Sequence, residues 1–504
     1  MKVMHRLLAL IMTVFMLASL HTAALAVDDA YPSTYTYNYD YWSDIRESPD
    51  AYRVSDVILS GSLGLETAMK KPQSLFVRGN DLYVCDTGNN RILHLTRTEE
   101  GFVLTRVIDQ IQGSDVSGLN TPSDVFVDEQ NNLYIADTNN GRVVMVDKDL
   151  NFIKQFTKPT DATFDQSLSF MPSKVVADVS GRAFVLATNV NKGLIKFESD
   201  TSFTGYVGAN KVSYDFFEYV WKNYLSTAEQ RAQQASFVPT EYCNIYIDPE
   251  SFIYATNVVF SEYDLRYDVA QPIRRLNGIG NDILIKNDRY PPIGDLYWIE
   301  QSVPLGPSKL VDITVMENDI YVAIDQTRGR IFGYDSQGVM LWAFGTTGAS
   351  HGAFNSAISI EHMGRDLFVL DQNGGSITVF TPTEYGNLIY DATDSYLRGD
   401  YDGSAEIWDE VLKLNANYNL AFIGIGRALM RQESYEEAMD YFKMAKDRDN
   451  YGRAFRFWRA EWVEENILWV VAVLLVVLIV PIIRSKIKKM RMEVEAYERN
   501  QIKK

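Results

Sequence analysis

Four carboxylates occupy the same place in a repeated phrase, and carboxylates arranged in this way can bind a metal ion or a basic partner. The phrase is an apolar run, an Asp, a Gly/Asn-rich turn, an Arg and a β-branched residue. Its clear copies supply Asp86, Arg91, Asp137, Arg142, Asp325, Arg330 and Asp371. The fourth copy has Ser376 where the others have Arg. Because the Asp recurs at one position of every copy, a turn-forming role is favoured over a ring of metal ligands.

Other catalytic signals are sparse. His5 and His21 lie in the N-terminal apolar segment, which leaves His94, His351 and His362, and these lack the spacing of a zinc site. The chain has no G-x-S-x-G motif, and nothing supports a nucleophilic Cys–His pair. The sequence therefore predicts no catalytic residue, no metal site and no cofactor.

Aromatic residues outside the repeated phrase are the candidates for ligand or partner binding. They occur in two segments without the repeat pattern, at about 200–238 and 261–306, and are Phe216, Trp221, Tyr290, Tyr297 and Trp298. Irregular segments on a regular scaffold commonly carry specificity. The alternative is that these side chains only pack the two segments onto the scaffold.

The elements that position these residues form a periodic array. A Pro precedes the Asp by 14 residues in the first copy and by 15 in the second, and Pro72, Pro122 and Pro172 are 50 residues apart. Two weaker copies share Ala-Thr-Asn-Val, at 187–190 and 255–258. Six units result, and each is expected to form strands joined by tight turns.

The pattern of the first two units, P-x-x-apolar followed by L/I-Y-V/I-x-D-T-x-N-x-R, resembles the NHL repeat. That resemblance implies a mainly β chain with a six-bladed β-propeller over residues 52–384. Propellers of this general kind include lactonases and lyases, and enzymatic activity is the less favoured of the functions that the resemblance implies. Residues 54–60 precede the first Pro, and we expect them to add a strand to the last blade and so close the ring.

A second repeat follows the propeller, over residues 388–465. Tyr401, Ser404 and Trp408 match Tyr435, Ala438 and Phe442 at an offset of 34 residues. This helical period is similar to the tetratricopeptide repeat, which implies an array of helical hairpins. An ordinary helical hairpin is the alternative.

The two ends of the chain indicate its location. Residues 1–26 read as a secretory signal peptide, followed by a Tyr-rich leader over 27–51 that could be an added strand, a mobile segment or a sugar-stacking ladder. Residues 467–483 carry no charge and are long enough to cross a membrane, with a buried globular helix as the alternative. The basic tail over 484–504 predicts that the C-terminus is cytoplasmic and the rest of the chain lies outside.

Charge and cysteine content narrow the choice of partners. The formal net charge of the chain is −18, and the tail alone has eight basic and three acidic residues. The outward part is therefore more acidic than the whole chain. No nucleic-acid partner is expected, because an acidic surface repels phosphate groups. Cys85 and Cys243 fall in units one and four, on opposite sides of a six-membered ring, and two separate buried thiols are expected.

Two functions from different classes fit these observations. The first is an extracytoplasmic binding or scaffold protein that engages a protein, peptide or glycan and is held by one C-terminal helix, as an accessory to a transporter or an envelope complex. The second is a propeller hydrolase or lyase with a metal in the central channel. The sequence leaves the ligand, the binding face and the oligomeric state open.

Overall fold

The computed structural model describes residues 35–40, 45–188, 190–208, 242–260, 264–265, 271–286, 291–295 and 306–502. The chain divides into two compact units, of which the first contains residues 43–387 and the second contains residues 388–504. The first unit is built from β-strands and the second from helices.

The first unit is a six-bladed β-propeller, as the repeated phrase predicts. Before the first blade come β1 (Tyr37–Tyr39), β2 (Ile45–Glu47) and β3 (Tyr52–Leu59). Blade 1 consists of β4 (Ser74–Arg78), β5 (Asp81–Asp86), β6 (Arg91–Thr98) and β7 (Gly101–Ile108). Blade 2 consists of β8 (Pro122–Val127), β9 (Leu133–Asp137), β10 (Arg142–Val146) and β11 (Phe152–Thr157). Both blades are antiparallel sheets in sequence order.

The two weaker copies of the phrase also form blades. Blade 3 consists of β12 (Pro172–Ala177), β13 (Ala183–Ala187), β14 (Leu194–Phe197) and β15 (Phe203–Val207). Among the described residues, blade 4 contributes β16 (Tyr242–Ile247), β17 (Ile253–Asn257) and β18 (Ile273–Leu276). The first Ala-Thr-Asn-Val segment begins at Ala187, the last residue of β13, whereas the second begins at Ala255, two residues before the end of β17. The position of the Asp in the clear copies is therefore taken by Ala187 in blade 3 and by Asn257 in blade 4.

Blades 5 and 6 complete the ring. Blade 5 consists of β19 (Leu310–Val315), β20 (Tyr321–Asp325), β21 (Arg330–Tyr334) and β22 (Met340–Phe344). The short pair β23 (Thr346–Thr347) and β24 (Ala353–Phe354) leads to blade 6, which consists of β25 (Ala357–Met363), β26 (Asp366–Asp371) and β27 (Ser376–Pro382). The strand β3 pairs with β27 along its whole length and is the fourth strand of blade 6. The predicted closure by residues 54–60 is therefore confirmed.

Apolar residues between neighbouring blades form the core of the ring. One cluster joins blades 6 and 1, and includes Leu75, Leu93 and Phe368. A larger cluster joins blades 2 to 4 through aromatic residues such as Phe156 and Phe197. The strands alternate side chains between their two faces, so each blade can pack apolar residues on both neighbours.

The Tyr-rich leader is an added strand in the part that the structure describes. Its strand β1 pairs with β22, so the sheet of blade 5 continues through β1 to β2. Tyr37 donates a hydrogen bond of 2.7 Å to the buried carboxylate of Asp295, and Tyr39 donates to the same oxygen. Burial and the nearby Asp295 raise the pKa of both phenols, which keeps them protonated as donors.

The two cysteines are free thiols in blades 1 and 4. Cys85 is buried, and burial raises the pKa of its thiol well above the ordinary value. Burial likewise raises the pKa of Cys243 to about 11. Both side chains therefore stay protonated and unreactive near neutral pH.

The second unit is helical, and its first helix begins at the end of the first unit. The helices are α1 (Glu384–Leu397), α2 (Tyr401–Leu414), α3 (Asn419–Arg431), α4 (Tyr435–Met444), α5 (Arg448–Glu465) and α6 (Ile467–Ile502). The matched residues Tyr401 and Tyr435 are the first residues of α2 and α4. The 34-residue period thus corresponds to one helical hairpin.

Close packing of α2, α3 and α4 depends on two glycines. A Cβ on Gly424 would lie 2.4 Å from Nε1 of Trp408, and a Cβ on Gly426 would lie 2.7 Å from Cε1 of Phe442. The large residues of the repeat therefore fill space that glycine leaves on α3. Ser404 and Ala438, the small matched residues, are fully buried.

The last helix, α6, contains the uncharged segment 467–483. By length and composition it is one helix able to cross a membrane, with a mean hydropathy of 3.0 and none of its apolar window buried in the described structure. The predicted signal peptide lies outside the described residues.

Candidate functional site in the centre of the propeller

The repeated Asp residues fasten the loop that enters each blade. In the first copy, Oδ1 of Asp86 accepts from the backbone N–H of Lys70 at 2.7 Å, and Oδ2 accepts from Nε of Arg91 at 2.7 Å. In the second copy, Asp137 accepts from the N–H of Asn120 at 2.8 Å and from Nε of Arg142 at 2.9 Å. The Arg residues of these copies therefore pair with the acid of their own turn.

The later copies keep the Asp contact but change its partners. Oδ1 of Asp325 accepts from the N–H of Lys309 and of Thr327, each at 2.8 Å. Asp371 accepts from the N–H of Asn355 at 2.8 Å and of Asn373 at 3.1 Å. These contacts again join the turn to the entering loop.

Arg330 differs from Arg91 and Arg142, which pair with the Asp of their own turn. It donates to the carbonyl of Gly345 and lies over the ring of Tyr35, at 4.7 Å from the centroid. Arg328 is the basic residue near Asp325, at 3.8 Å. The leader strand supplies the aromatic partner, which the local phrase does not predict.

The five aromatic candidates fall on residues that the structure does not describe. Phe216 and Trp221 lie in 209–241, Tyr290 lies in 287–290, and Tyr297 and Trp298 lie in 296–305. Their role as binding residues stays a prediction.

The structure reveals a different set of polar residues, one from the inner strand of each blade. These inner strands are β4, β8, β12, β16, β19 and β25, and each contacts the inner strand of the next blade. We call the set the floor ring, and it consists of Ser74, Asp124, Lys174, Asn244, Asp312 and Ser359. Each member pairs with the residue before the turn position of the second strand, for example Ser74 with Cys85 and Asp124 with Ala136.

A local backbone irregularity helps to aim five of the six members. In blades 2 to 6 the register between the first two strands shifts at the residue before the floor-ring position. A β-bulge of this kind re-aims the side chain that follows it. The same register shift therefore accompanies the floor-ring residue in each of these five blades.

Hydrogen bonds of the floor ring join one blade to the next. Oδ2 of Asp124 accepts from the N–H of Val175 at 2.9 Å, and Oδ2 of Asp312 accepts from the N–H of Ile360 at 2.8 Å. The hydroxyl of Ser359 accepts from the N–H of Leu75 at 3.0 Å, across the closure of the ring. In each case the donor directly follows the floor-ring residue of the next blade.

Side-chain contacts extend this inter-blade network. The hydroxyl of Ser74 donates to Oδ1 of Asp124 at 2.5 Å, and Nζ of Lys174 lies 3.3 Å from the same oxygen. Asn244 donates to Asp312. The carboxylates of the floor ring are therefore occupied by neighbouring blades.

Burial and charge set the protonation of the floor ring. Burial opposes the charge of Lys174, but the carboxylates of Asp124 and Asp312 outweigh it and raise the pKa of that amine. Burial raises the pKa of Asp312 to about 6, against the opposing effect of Lys174. Near neutral pH, Lys174 is charged and Asp312 is mostly ionised.

A second ring of side chains lies two residues further along each inner strand. It is on the same face as the floor ring, because successive side chains of a strand alternate between its two faces. We call it the wall ring, and it consists of Phe76, Phe126, Val176, Tyr246, Thr314 and Glu361. Apart from Ser359 and Thr314, the residues of the two rings line an axial cavity of about 350 Å³. The cavity continues to the turns that follow the inner strands, where Glu129 is exposed and Val179 is 74% exposed.

Glu361 is the buried carboxyl group of the wall ring. The hydroxyl of Thr314 donates to its Oε2 at 3.1 Å and lies 2.7 Å from Nδ1 of His362. Burial, and next the charge of Asp312, raise the pKa of Glu361 well above its ordinary range. Burial lowers the pKa of His362 to about 4, so the imidazole is neutral at physiological pH.

Sequence reasoning missed both rings, although a signal for them existed. Ser74, Asp124 and Lys174 each follow a Pro of the 50-residue period by two positions. Only the closed ring shows that these polar residues meet on one axis.

Metal binding requires several His, Cys, Asp or Glu side chains that lie close together. No group of three or more such side chains in the described part of the chain is arranged to hold a metal ion. His94 stacks on Tyr83 with the ring centroids 4.5 Å apart, and its Nε2 lies 2.9 Å from Asp81. That histidine therefore belongs to blade 1 rather than to the cavity.

Comparison with known proteins finds similarity of fold at a low level. No protein-family profile and no curated protein matches the chain. A virginiamycin B lyase from Staphylococcus aureus has a TM-score of 0.38 and 11% identity, over 68% of this chain and 87% of that chain. A Bacteroides thetaiotaomicron protein of unknown function has a TM-score of 0.40 and 13% identity, over 63% and 71% of the two chains.

A putative gluconolactonase has a TM-score of 0.37 and 9% identity, over 67% of this chain and 94% of its own. These neighbours are of the propeller type. Identities and TM-scores this low carry no activity over to the present chain, so its function rests on its own residues.

Proposed function

We propose that this chain is an extracytoplasmic binding protein, anchored in the membrane by α6, whose propeller receives its ligand in the axial cavity. One observation carries the proposal: the floor-ring carboxylates are held by neighbouring blades, while the wall ring leaves a cavity with aromatic sides above them. A volume of about 350 Å³ falls in the usual range for ligand sites. The partner is a protein, peptide or glycan of the cell envelope.

The repeats and the ends of the chain support this reading. The propeller phrase resembles NHL repeats and the helical hairpins resemble tetratricopeptide repeats, and both kinds of repeat are common in interaction modules. The apolar α6 followed by basic residues favours a single span with the propeller outside.

Crosslinking tests the binding proposal. The full chain, expressed in its membrane, is crosslinked in intact cells and its partners are identified beside two variants. Met363→Trp narrows the cavity at a lining residue, and Leu59→Trp adds the same ring at an exposed site on β3. We expect a reproducible partner with the wild type and with Leu59→Trp, and reduced capture with Met363→Trp. Equal capture by all three chains would overturn the role of the cavity.

A specific observation favours hydrolase or lyase activity as the second candidate. Glu361, Thr314 and His362 are in contact, with a carboxyl whose pKa burial raises and an imidazole that burial keeps neutral. Such a pair can serve as general acid and general base. Turnover of a lactone or glycan that is lost in Glu361→Gln and in His362→Gln would establish this candidate, and the absence of turnover would remove it.

A further inference from the structure

We propose that the axial cavity binds an alkylammonium group, which sits between the aromatic side chains of the wall ring and the carboxylate of Glu361. The inference rests on the proposed function, in which this cavity is the ligand site. The group could belong to a small amine or to a lysine side chain of a partner, since both present the same chemistry.

The charge of the cavity lining favours a cation. The lining contains seven carboxyl groups and two basic side chains, Arg78 and Lys174. Arg182 and Arg275 neutralise Asp178 and Asp248, at 2.6 Å and 2.8 Å. Besides Glu361, whose pKa burial raises, four carboxylates remain against two cations, and these are Asp124, Asp128, Glu129 and Asp312. Lys174 is itself held by Asp124. An anionic ligand would meet an excess of like charge.

The walls favour an organic cation over a metal ion. Phe76 and Phe126 are neighbours, with ring centroids 5.1 Å apart, and both line the cavity together with Tyr246. Aromatic faces attract ammonium groups and supply no ligand atoms to a metal. The aliphatic Val176 lies in the same ring and suits the methylene groups of an alkyl chain.

Glu361 is placed to neutralise the entering group. Its side chain is held by Thr314 through one oxygen, and the residue is 7% exposed. The charged or titratable groups around it are Asp312 and Asp124, with Lys174 beside them, the phenol of Tyr246, and His362 next in the chain. Because burial raises the pKa of Glu361, an ammonium ion that binds there favours the ionised carboxylate and promotes the release of its proton to solvent. Affinity is therefore expected to rise with pH.

Calorimetry with defined probes tests the inference on the full chain in detergent. The probes are n-butylammonium, the neutral 1-pentanol, the anion butyrate and an acetyl-Gly-Lys-Gly-amide peptide. We expect n-butylammonium to bind and butyrate not to bind. Glu361→Gln should weaken ammonium binding by roughly 10- to 100-fold, as the loss of a charged hydrogen bond does.

Glu100→Gln is the matched control, because Glu100 is exposed in the turn between β6 and β7. It should bind n-butylammonium as the wild type does. Gln has nearly the same shape as Glu and can accept the same hydrogen bond from Thr314, so the variant should fold normally, which a melting curve verifies. Binding of the peptide as well as the amine would indicate a partner's lysine, and binding of the amine alone a small metabolite; both support the ammonium site.

Three results would overturn the inference: binding of butyrate or pentanol in preference to n-butylammonium, equal affinity in Glu361→Gln, or no binding of either cation. If any of these occurred while Met363→Trp still reduced partner capture, the ligand class would be wrong and the binding function would stand. If Met363→Trp had no effect on capture, the proposed function itself would fail.

Discussion

At the scale of single residues, the same residue type has different roles in neighbouring positions of one blade. Asp325 ends the second strand of blade 5 and fastens the entering loop, whereas Asp312 on its inner strand joins blade 5 to blade 6. Both carboxylates are buried and hydrogen-bonded. Glu361, two residues beyond the floor ring, is the carboxyl whose pKa burial raises well above its ordinary range. Position along the strand therefore separates structural from ligand-binding candidates.

Local turn chemistry explains why the turn residues were predictable and the rings were not. An Asp followed by Gly or Asn forms its turn from neighbours in sequence, so Asp86 and Asp137 could be interpreted from one copy of the phrase. Asp124 instead accepts from Val175, 51 residues away, and Ser359 accepts from Leu75 across the closure. Those partners are set by the closed ring.

The substitution Asp312→Asn should change the pH dependence of stability. The folded-state pKa of Asp312 is about 6 and lies above the unfolded value, so the folded state holds a proton that the unfolded chain has released. Wild-type stability therefore falls as pH rises from 4 to 7, by about 3 kcal/mol from this group. The Asn variant has no titrating carboxyl at this position. Its free energy of unfolding relative to that of the wild type should therefore rise as the pH increases from 4 to 7.

Guanidinium unfolding of the full chain in detergent, followed by circular dichroism of the sheets at several pH values, measures this difference. Asp147→Asn is the control, because hydrogen bonds from the side chain and backbone of Asn151 lower the pKa of the exposed Asp147. Its effect should be small and of opposite sign. A constant difference between Asp312→Asn and wild type from pH 4 to 7 would contradict the assignment.

At the scale of elements, the strands and helical hairpins were predictable where the sequence is periodic. The 34-residue offset correctly identified the starts of α2 and α4, because helix packing needs small and large residues at fixed spacings. The partner of Arg330 was not predictable, since Tyr35 comes from the leader strand almost 300 residues earlier in the chain. The leader shows how a segment outside the repeat extends the sheet of a blade that already has four strands.

Two glycine substitutions should have opposite effects on the helical unit. Gly424→Ala places a methyl group 2.4 Å from Trp408 and should destabilise the hairpins by roughly 1–3 kcal/mol, through overpacking. Gly452→Ala, in α5, meets nothing within 4 Å and should stabilise its helix by about 1 kcal/mol, through helix propensity. Hydrogen exchange of α3 and α5 in the full chain measures both. Equal changes at the two sites would show that α3 does not pack on Trp408 as described.

At the scale of the whole molecule, the six-bladed ring brings residues from six distant segments to one axis. The ring and its closure were predictable from the period and from the strand ahead of the first Pro. The cavity was not, because its shape depends on which side chains of the inner strands face the axis. Fold and site are thus specified by different positions of the same repeat.

The proposed topology predicts which parts of the chain an impermeant maleimide can reach in intact cells. A cysteine introduced as Glu100→Cys on the propeller should react at once, and Lys489→Cys in the tail should react only after permeabilisation. The native thiols should give little background, because burial raises the pKa of Cys85 and Cys243. The reverse labelling pattern would place the propeller in the cytoplasm.

The number of protons released on ligand binding tests whether an ammonium ion binds at Glu361. Calorimetry of the full chain with n-butylammonium at pH 7.5, in buffers of different ionisation enthalpy, gives the number of protons released per site. With the ammonium ion bound at Glu361, we predict that the wild type releases protons on binding and that Glu361→Gln releases almost none. Binding of equal affinity in both chains, without proton release, would show that the ammonium ion does not bind at Glu361.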